Sequence, residues 1–273
     1  MQKNNTLYKP LAFLKRDFLI NSSYRFSFIF DFFTILFSVL TFFFIAKIFG
    51  KGASQYLTNY GGDYFPFVLI GIAFFGYLHT AMTSFTQVIR EEQYTGTLET
   101  ILLSPTRIST MLISGSLWNF LFTSLRILLY LLFGALFFGF NISKANFVAA
   151  IATLILTITS FSGLGIISAS FVIVLKRGDP VSWLFSGVSR FLGGVYFPIT
   201  ILPLWAQRLS LLLPITHSLE AMRKALILGE SITGIAQELT VLFIFSAILL
   251  PLSVLCFKFA IRRAKKSGSL IYF

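Results

Sequence analysis

A long polar segment interrupts an otherwise apolar chain between Arg90 and Arg107, where the sequence reads REEQYTGTLETILLSPTR. It lies between two apolar runs, and each run exceeds the roughly 20 residues that a helix needs to cross a membrane. The segment holds three of the ten acidic residues of the chain, Glu91, Glu92 and Glu99. We therefore interpret it as the connection between two membrane spans, exposed to the aqueous phase.

A short amphipathic helix is predicted within this segment. Gly96 interrupts the preceding helix, Thr97 is a suitable N-cap, and Pro105 ends the new helix. An acid in the first turn, Glu99, is favoured by the helix dipole. The residues with the spacing of one apolar helix face are Leu98, Ile101 and Leu102. Such a helix is suited to docking on a protein at the membrane surface; an ordinary amphipathic loop is the alternative.

The composition is that of a helical membrane protein with several spans. Of the 273 residues, 56% are hydrophobic and 12% are charged, and the mean hydropathy is +0.83. This composition excludes an ordinary soluble domain. The net charge of +12 would suggest nucleic acid binding in a soluble protein. Here the basic residues flank apolar runs, so topology and lipid headgroups explain them better, and no nucleic acid partner is predicted.

The sequence contains no recognisable catalytic or metal-binding motif. Its single cysteine, Cys256, excludes an intrachain disulfide and a cysteine metal cluster. The two histidines, His79 and His217, are far apart in the sequence. A Gly-x-x-x-x-Gly-Lys-Ser/Thr loop, which would wrap phosphate with backbone N–H groups, is missing. We therefore expect neither an enzyme nor a cofactor in this chain.

We predict an all-α integral membrane protein with six transmembrane helices in a single domain, residues 1–273. The predicted spans are residues 26–48, 64–88, 108–140, 147–175, 181–197 and 235–259. The fourth span contains a cluster of small residues between Ser162 and Ser170, which suits close contact with neighbouring helices.

Two further segments are predicted at the membrane surfaces. Residues 1–25 interleave apolar and charged side chains from Tyr8 to Tyr24, which indicates an amphipathic helix on the inner surface. Residues 199–228 are apolar, but prolines at positions 198, 203 and 214 break a single helix. We predict two short half-inserted helices there, on the outer side.

The distribution of basic residues predicts the orientation of the chain. With six spans and both termini inside, fourteen of the 22 lysines and arginines lie in inner segments and six in outer segments. The other two, Arg126 and Arg190, fall within spans. Because inner loops are enriched in basic residues, this count favours cytoplasmic N- and C-termini.

The polar segment resembles the coupling-helix signature of ABC-2 type transporter permeases. The matching positions are Glu91, Glu92, Gly96, Thr97, Leu98, Glu99, Leu102 and Pro105. Residues 196–203, YFPITILP, and 212–223, LLPITHSLEAMR, are also similar to this family. In that family this part of the chain forms re-entrant helices before the last span.

The resemblance implies the membrane subunit of an ATP-driven exporter in the plasma or inner membrane. ATP and magnesium would be bound by a separate ATPase subunit, and two permease chains, alike or different, would pair with two ATPase chains. The eight matching residues would couple the permease to the ATPase. Substrate candidates are lipid-linked glycans, polyprenyl-phosphate conjugates, other amphiphiles and hydrophobic drugs. The alternative from a different class is a membrane-embedded lipid-modifying enzyme or scaffold.

Three titratable residues inside spans are candidates for contact with substrate or for a structural role. If span three starts inside at Ile108, Arg126 lies about 27 Å along the helix. Asp31 is only a few residues into span one, so we expect no direct pairing of the two. A guanidinium grips phosphate with two hydrogen bonds, so Arg126 or Arg190 is predicted to hold an anionic headgroup. Interhelical hydrogen bonding is the alternative. His79 is open to both a proton relay and a structural hydrogen bond.

Overall fold

The chain is mostly helical in the part that its computed structural model describes, which comprises residues 8–23, 25–97, 100, 108–175 and 179–266. The α-helices are α1 (Tyr8–Ser23), α2 (Arg25–Ala53), α3 (Tyr64–Tyr94), α4 (Ile108–Phe138), α5 (Phe147–Leu175), α6 (Pro180–Leu192), α7 (Leu204–Ser210), α8 (Pro214–Arg223) and α9 (Ala236–Lys266). A π-helical turn, Lys224–Leu228, continues α8, and short 3-10 turns occupy Ser54–Tyr56, Thr58–Tyr60 and Ile199–Ile201.

Within the described ranges, five helices are long and apolar enough to cross a membrane. They are α2, α3, α4, α5 and α9, with 29 to 31 residues each. Five of the six predicted spans are thereby confirmed as membrane-length helices, and the fourth has the predicted bounds, 147–175.

The predicted fifth span, 181–197, does not form a full-length helix. Helix α6 has 13 residues and is about 20 Å long, which is shorter than a hydrocarbon core of about 30 Å. The helix ends because Gly193 is followed by Gly194, whose φ of +74° lies in the left-handed region. The apolar residues that follow, 195–197, had suggested that the helix continued.

Helix α3 is the centre of the fold. It contacts α2, α4, α5, α6 and α8, and 72% of its most apolar 18-residue window is buried. Helix α5 packs closely against it because Gly165 faces the backbone carbonyl of Ala81, where a Cβ atom would overlap. On its other side α5 packs along α9, with Gly163 against Leu249. These contacts confirm the predicted role of the small residues in span four.

Helices α2 and α4 pack side by side and run in the same direction. Phe28 meets Phe122 edge to face, with 5.3 Å between ring centroids, and Phe32 meets Phe133 further along at 5.1 Å. Helix α1 packs against the first part of α4 and confirms that residues 8–23 form a helix.

The segment 199–228 forms two short helices, as predicted, but one of its charges is buried. Arg223, one of the six basic residues assigned to outer segments, is only 3% exposed. Its guanidinium donates hydrogen bonds to the carbonyls of Phe67, at 3.1 Å, and Gly194, at 2.8 Å. Arg223 therefore joins the end of α8 to the start of α3 and to the turn after α6.

Polar contacts tie the same segment to its neighbours. The hydroxyl of Tyr60 donates a hydrogen bond to Glu220, and burial together with this carboxylate raises the pKa of Tyr60 well above its usual range. The ammonium of Lys224 lies 2.7 Å from the carboxylate of Glu238 at the start of α9. The short helices are thus fixed to the α2–α3 loop and to α9.

Candidate functional site

A stripe of polar residues runs along one face of α3. His79, Thr83, Gln87 and Arg90 follow each other at the spacing of a single helix face. The side chains of His79 and Gln87 are exposed, although most of α3 is buried. Polar side chains in a span avoid lipid and face water or protein. This face of α3 therefore lines a water-filled path or contacts another chain.

Helix α6 forms one wall beside the stripe. A cavity of about 430 Å³ lies between His79, Gln87 and Arg90 of α3 and Ser186 and Arg190 of α6. The guanidinium carbon of Arg190 lies 5.0 Å from the ring centroid of Phe75, a cation–π contact. Arg190 forms no ion pair with any described residue, so its charge is available to a ligand.

Asp179 fixes the start of α6. Its carboxylate caps the helix by accepting a hydrogen bond from the backbone N–H of Ser182 at 3.0 Å. It also accepts hydrogen bonds from the hydroxyls of Thr86 on α3, at 3.2 Å, and Ser168 on α5. These bonds tie α6 to two long helices and thereby set the position of Arg190 three turns further on.

Arg126 and Asp31 form an ion pair, with 2.7 Å between Nη2 and Oδ1, so the expectation that they do not pair is wrong. That expectation placed the membrane boundary at Ile108, the first residue of α4. Helix α1 packs beside the first part of α4, so α2 starts well above Ile108. Phe28 of α2 is level with Phe122 of α4. Asp31 and Arg126 each lie about one helical turn further along their helices, so they are level with each other.

The two predicted substrate-path arginines line a common cavity of about 230 Å³ together with His79. The ring of His79 has no hydrogen-bond partner among the described residues, so the predicted structural hydrogen bond is not found there. The sequence placed Arg126 and Arg190 on separate spans, and the fold brings them to one groove.

At the C-terminal end of α3, Gly96 closes the helix. The N–H groups of Gly96 and Thr97 bond to the carbonyls of Gln93, at 3.1 Å, and Glu92, at 3.0 Å. This pair of bonds is a Schellman motif, and the φ of +70° at Gly96 suits glycine. Gly96 therefore interrupts the preceding helix, as predicted.

Glu92 links this turn to α1. It is 7% exposed and accepts hydrogen bonds from the guanidinium of Arg16, at 3.3 Å, and from the hydroxyl of Thr97. Burial alone would lower the pKa of Arg16, but Asp17 and Glu92 outweigh burial and raise it. The neighbouring Glu91 is exposed. Of the two acids, Glu91 is thus the one that is accessible to a partner.

The other predicted coupling residues lie outside the described residues. They are Leu98, Glu99, Leu102 and Pro105.

A family model of known proteins matches residues 11–227 and is described as ABC-2 type transporter. The chain belongs to the ABC-2 type transporter family. The match covers α1 to α8, including the polar groove and the turn at Gly96. A search of curated proteins found no match.

Family membership makes this chain the membrane-spanning permease component of an ABC transporter. Such a permease is a transport component that is not itself catalytic, and in its family it works with an ATPase subunit. The lipid-modifying enzyme considered from the sequence is thereby set aside.

Several residues of the permease site were missed in the sequence. Thr83 and Gln87 could have been found from their spacing of four and eight residues after His79, which the sequence did indicate. The contacts of Asp179 with Thr86 and of Arg16 with Glu92 left no local signal, because they join residues that are 76 or more positions apart.

Proposed function

We propose that this permease exports an amphipathic substrate, lipid-linked or of glycan type, from the cytoplasm or the inner leaflet. The observation that supports this most strongly is the polar stripe on α3, which offers a polar headgroup a path along an apolar helix bundle. The exposed apolar surfaces of α2 and α4 beside the groove would accommodate an acyl chain.

Arg190 is the residue that we propose for contact with an anionic headgroup. The charge of Arg126 is already compensated by Asp31, whereas Arg190 has no acidic partner among the described residues. Both line the cavity that contains His79, so an anion held by Arg190 would lie beside the neutral Arg126–Asp31 pair. This refines the prediction that either arginine holds the anion.

The proposed assembly has two permease chains and two ATPase subunits in the plasma or inner membrane. In the proposed topology both termini are cytoplasmic. The sixth crossing of the membrane is then made by α6 together with the segment up to α8, and it is not a continuous helix. The exposed Glu91, with Leu98, Glu99 and Leu102, would seat in a cleft of each ATPase subunit. The ATPase would bind ATP and magnesium.

The proposed function is tested by transport in vesicles that contain the permease and its ATPase. We expect ATP-dependent movement of a fluorescent lipid phosphate, and Arg190→Gln should lower it severalfold. Movement of a chain-matched neutral lipid should be unaffected. Equal transport of anionic and neutral lipids by both proteins would contradict the anionic headgroup. ATP-dependent transport of neutral hydrophobic drugs alone would favour drug efflux instead.

A further inference from the structure

A further polar cavity adjoins the α3 stripe and lies between α2, α3 and α4. Its volume is about 290 Å³. Helix α3 contributes Ser84 and Gln87, α4 contributes Asn119 and Arg126, and α2 contributes Asp31. Most of its lining residues carry hydrogen-bonding side chains, which is unusual for a space inside an apolar helix bundle.

Several of these polar groups lack a partner. The hydroxyl of Ser84, which is 1% exposed, and the Nε atom of Arg126 are buried and form no hydrogen bond with a described residue. The side-chain amides of Gln87 and Asn119 also form none. More than nine in ten buried polar groups in proteins are hydrogen-bonded. Ser84 and Arg126 line this cavity and each carries one such buried atom, while the amides of Gln87 and Asn119 are open to a ligand or water.

The charge of the cavity disfavours an anion. Arg126 is paired with Asp31 at 2.7 Å, so the two opposite charges cancel. An anion would have to displace the carboxylate, whereas an uncharged group can bond to both members of the pair. Amides, hydroxyls and the edges of an ion pair are complementary to a cluster of hydroxyl groups, which both donate and accept.

Aromatic rings form the remaining wall. Trp118 and Phe122 line the cavity and stack on each other, with 6.2 Å between ring centroids and 16° between planes. Flat apolar rings beside a few convergent polar groups are typical of small-molecule sites. The guanidinium of Arg126 lies over Phe122, 4.7 Å from its centroid, so Trp118 is the ring that can pack against the C–H face of a sugar while the polar groups bind its hydroxyls.

We propose that this cavity binds an uncharged polyhydroxylated headgroup of glycosyl type. The inference rests on the proposed amphipathic substrate, whose headgroup it specifies. A phosphate attached to the same headgroup would lie toward Arg190, because the adjoining cavity shares Asp31, His79 and Arg126 with this one.

The test is photo-crosslinking in the reconstituted complex of permease and ATPase. The probe is an alkyl glucoside with a diazirine on its sugar, and crosslinked permease peptides are mapped by mass spectrometry. We expect saturable labelling of the α4 segment around Asn119, which octyl glucoside competes away. A chain-matched octyl tri(ethylene glycol) ether should not compete. Equal competition by both compounds would overturn the proposal, because binding would then follow the alkyl chain alone.

Variants test the assigned residues. Ser84→Ala and Asn119→Leu should each raise the octyl glucoside concentration needed for half-competition, by about tenfold for a lost hydrogen bond in a buried site. Thr240→Ala in α9 is the matched control, since Thr240 lines neither this cavity nor the groove beside α6 and its hydroxyl bonds within its own helix. An unchanged midpoint in both variants would overturn the proposal. Co-purification of the ATPase subunit with each variant shows that the complex is assembled.

Two further measurements are needed. One distinguishes a soluble sugar from a lipid-linked one, and the other distinguishes failure of the binding site from failure of the proposed export. Competition by free glucose at similar concentration would support the site but assign it to a soluble sugar. Glucoside-specific labelling without ATP-dependent transport would contradict export and leave the binding site standing. Transport of the glucoside without labelling of this cavity would support export and contradict the proposed binding site.

Discussion

The carboxylate of Asp31 on α2 and the guanidinium of Arg126 on α4 form an ion pair inside the membrane-spanning part of the permease. The distance between Oδ1 of Asp31 and Nη2 of Arg126 is 2.7 Å. Asp31→Asn should destabilise the protein, because an uncompensated arginine inside a span costs up to about 3 kcal/mol. Arg126→Gln added to Asp31→Asn should recover most of the loss. The measurement is thermal melting of the purified complex. A double variant as unstable as the sum of the two single variants would show that the residues are not coupled.

The sequence predicted no pairing of Asp31 and Arg126, and the reason that this was wrong shows what a sequence can determine for a helical membrane protein. Apolar length predicted five spans correctly, because crossing a bilayer is a local requirement. The relative depth of Asp31 and Arg126 depends on how α1 lies against α4, and this is a tertiary contact. The end of α6 at Gly194 depends on a single backbone angle within a stretch that remains apolar.

Gly165 should tolerate no side chain. A Cβ atom there would overlap the carbonyl of Ala81, so Gly165→Ala should force α5 away from α3 and cost about 1–3 kcal/mol. Gly187→Ala in α6 is the control, since a Cβ atom at Gly187 has no neighbour within 4 Å. There alanine should be neutral or stabilising by up to about 1 kcal/mol. Equal melting temperatures for the two variants would contradict the close packing of α3 and α5.

The proposed topology can be tested by labelling single cysteines. In a Cys256→Ser background, Gln55→Cys and Ser143→Cys should react with an impermeant thiol reagent on intact cells. Thr100→Cys should react only after the membrane is permeabilised. All three positions are exposed in the structure, so access to the reagent depends on the side of the membrane. The opposite pattern would reverse the orientation and remove the polar segment from the cytoplasm.

Glu99 is predicted to couple the permease to ATP hydrolysis. Glu99→Lys should weaken assembly with the ATPase or leave a complex whose hydrolysis no longer drives transport. Glu99→Gln removes the charge and keeps the size, so it shows whether coupling depends on the charge of Glu99 or on its shape. If Glu99 only stabilises its own helix, the effect on stability stays near 0.3–1 kcal/mol, roughly, and transport per ATP is unchanged. Transport at the parent rate by both variants would show that Glu99 has no role in coupling.

The residues predicted to couple the permease to the ATPase also show what a motif cannot determine. The motif grouped Glu91 and Glu92 as equivalent acids, but they differ in the fold. Glu91 is exposed, and Glu92 is buried against Arg16 and Thr97. A motif identifies the residue types and their spacing, whereas the direction of each side chain depends on the helix that packs beside it, here α1.

The contact between Arg16 and Glu92 should hold the turn at Gly96 in a fixed position relative to α1. Arg16 is 43% exposed, so the pair contributes little to overall stability, about 0–1 kcal/mol. Arg16→Gln should therefore barely change the melting temperature. It should lower transport per ATP hydrolysed severalfold, because the turn at Gly96 loses its link to α1. Lys15→Gln is the matched control, since it removes the same charge from an exposed neighbouring side chain.

A charge exchange separates this positioning role from a general need for charge near the turn. In the double variant Arg16→Glu with Glu92→Arg, the ion pair can form again, and the new arginine can still donate to the hydroxyl of Thr97. Transport per ATP should recover toward the parent value, whereas each single substitution leaves two like charges facing each other. If Lys15→Gln uncouples the complex as strongly as Arg16→Gln, or if the exchange gives no recovery, the pair does not position the turn. Coupling would then depend on the net charge of α1, and the burial of Glu92 would serve only to close α3.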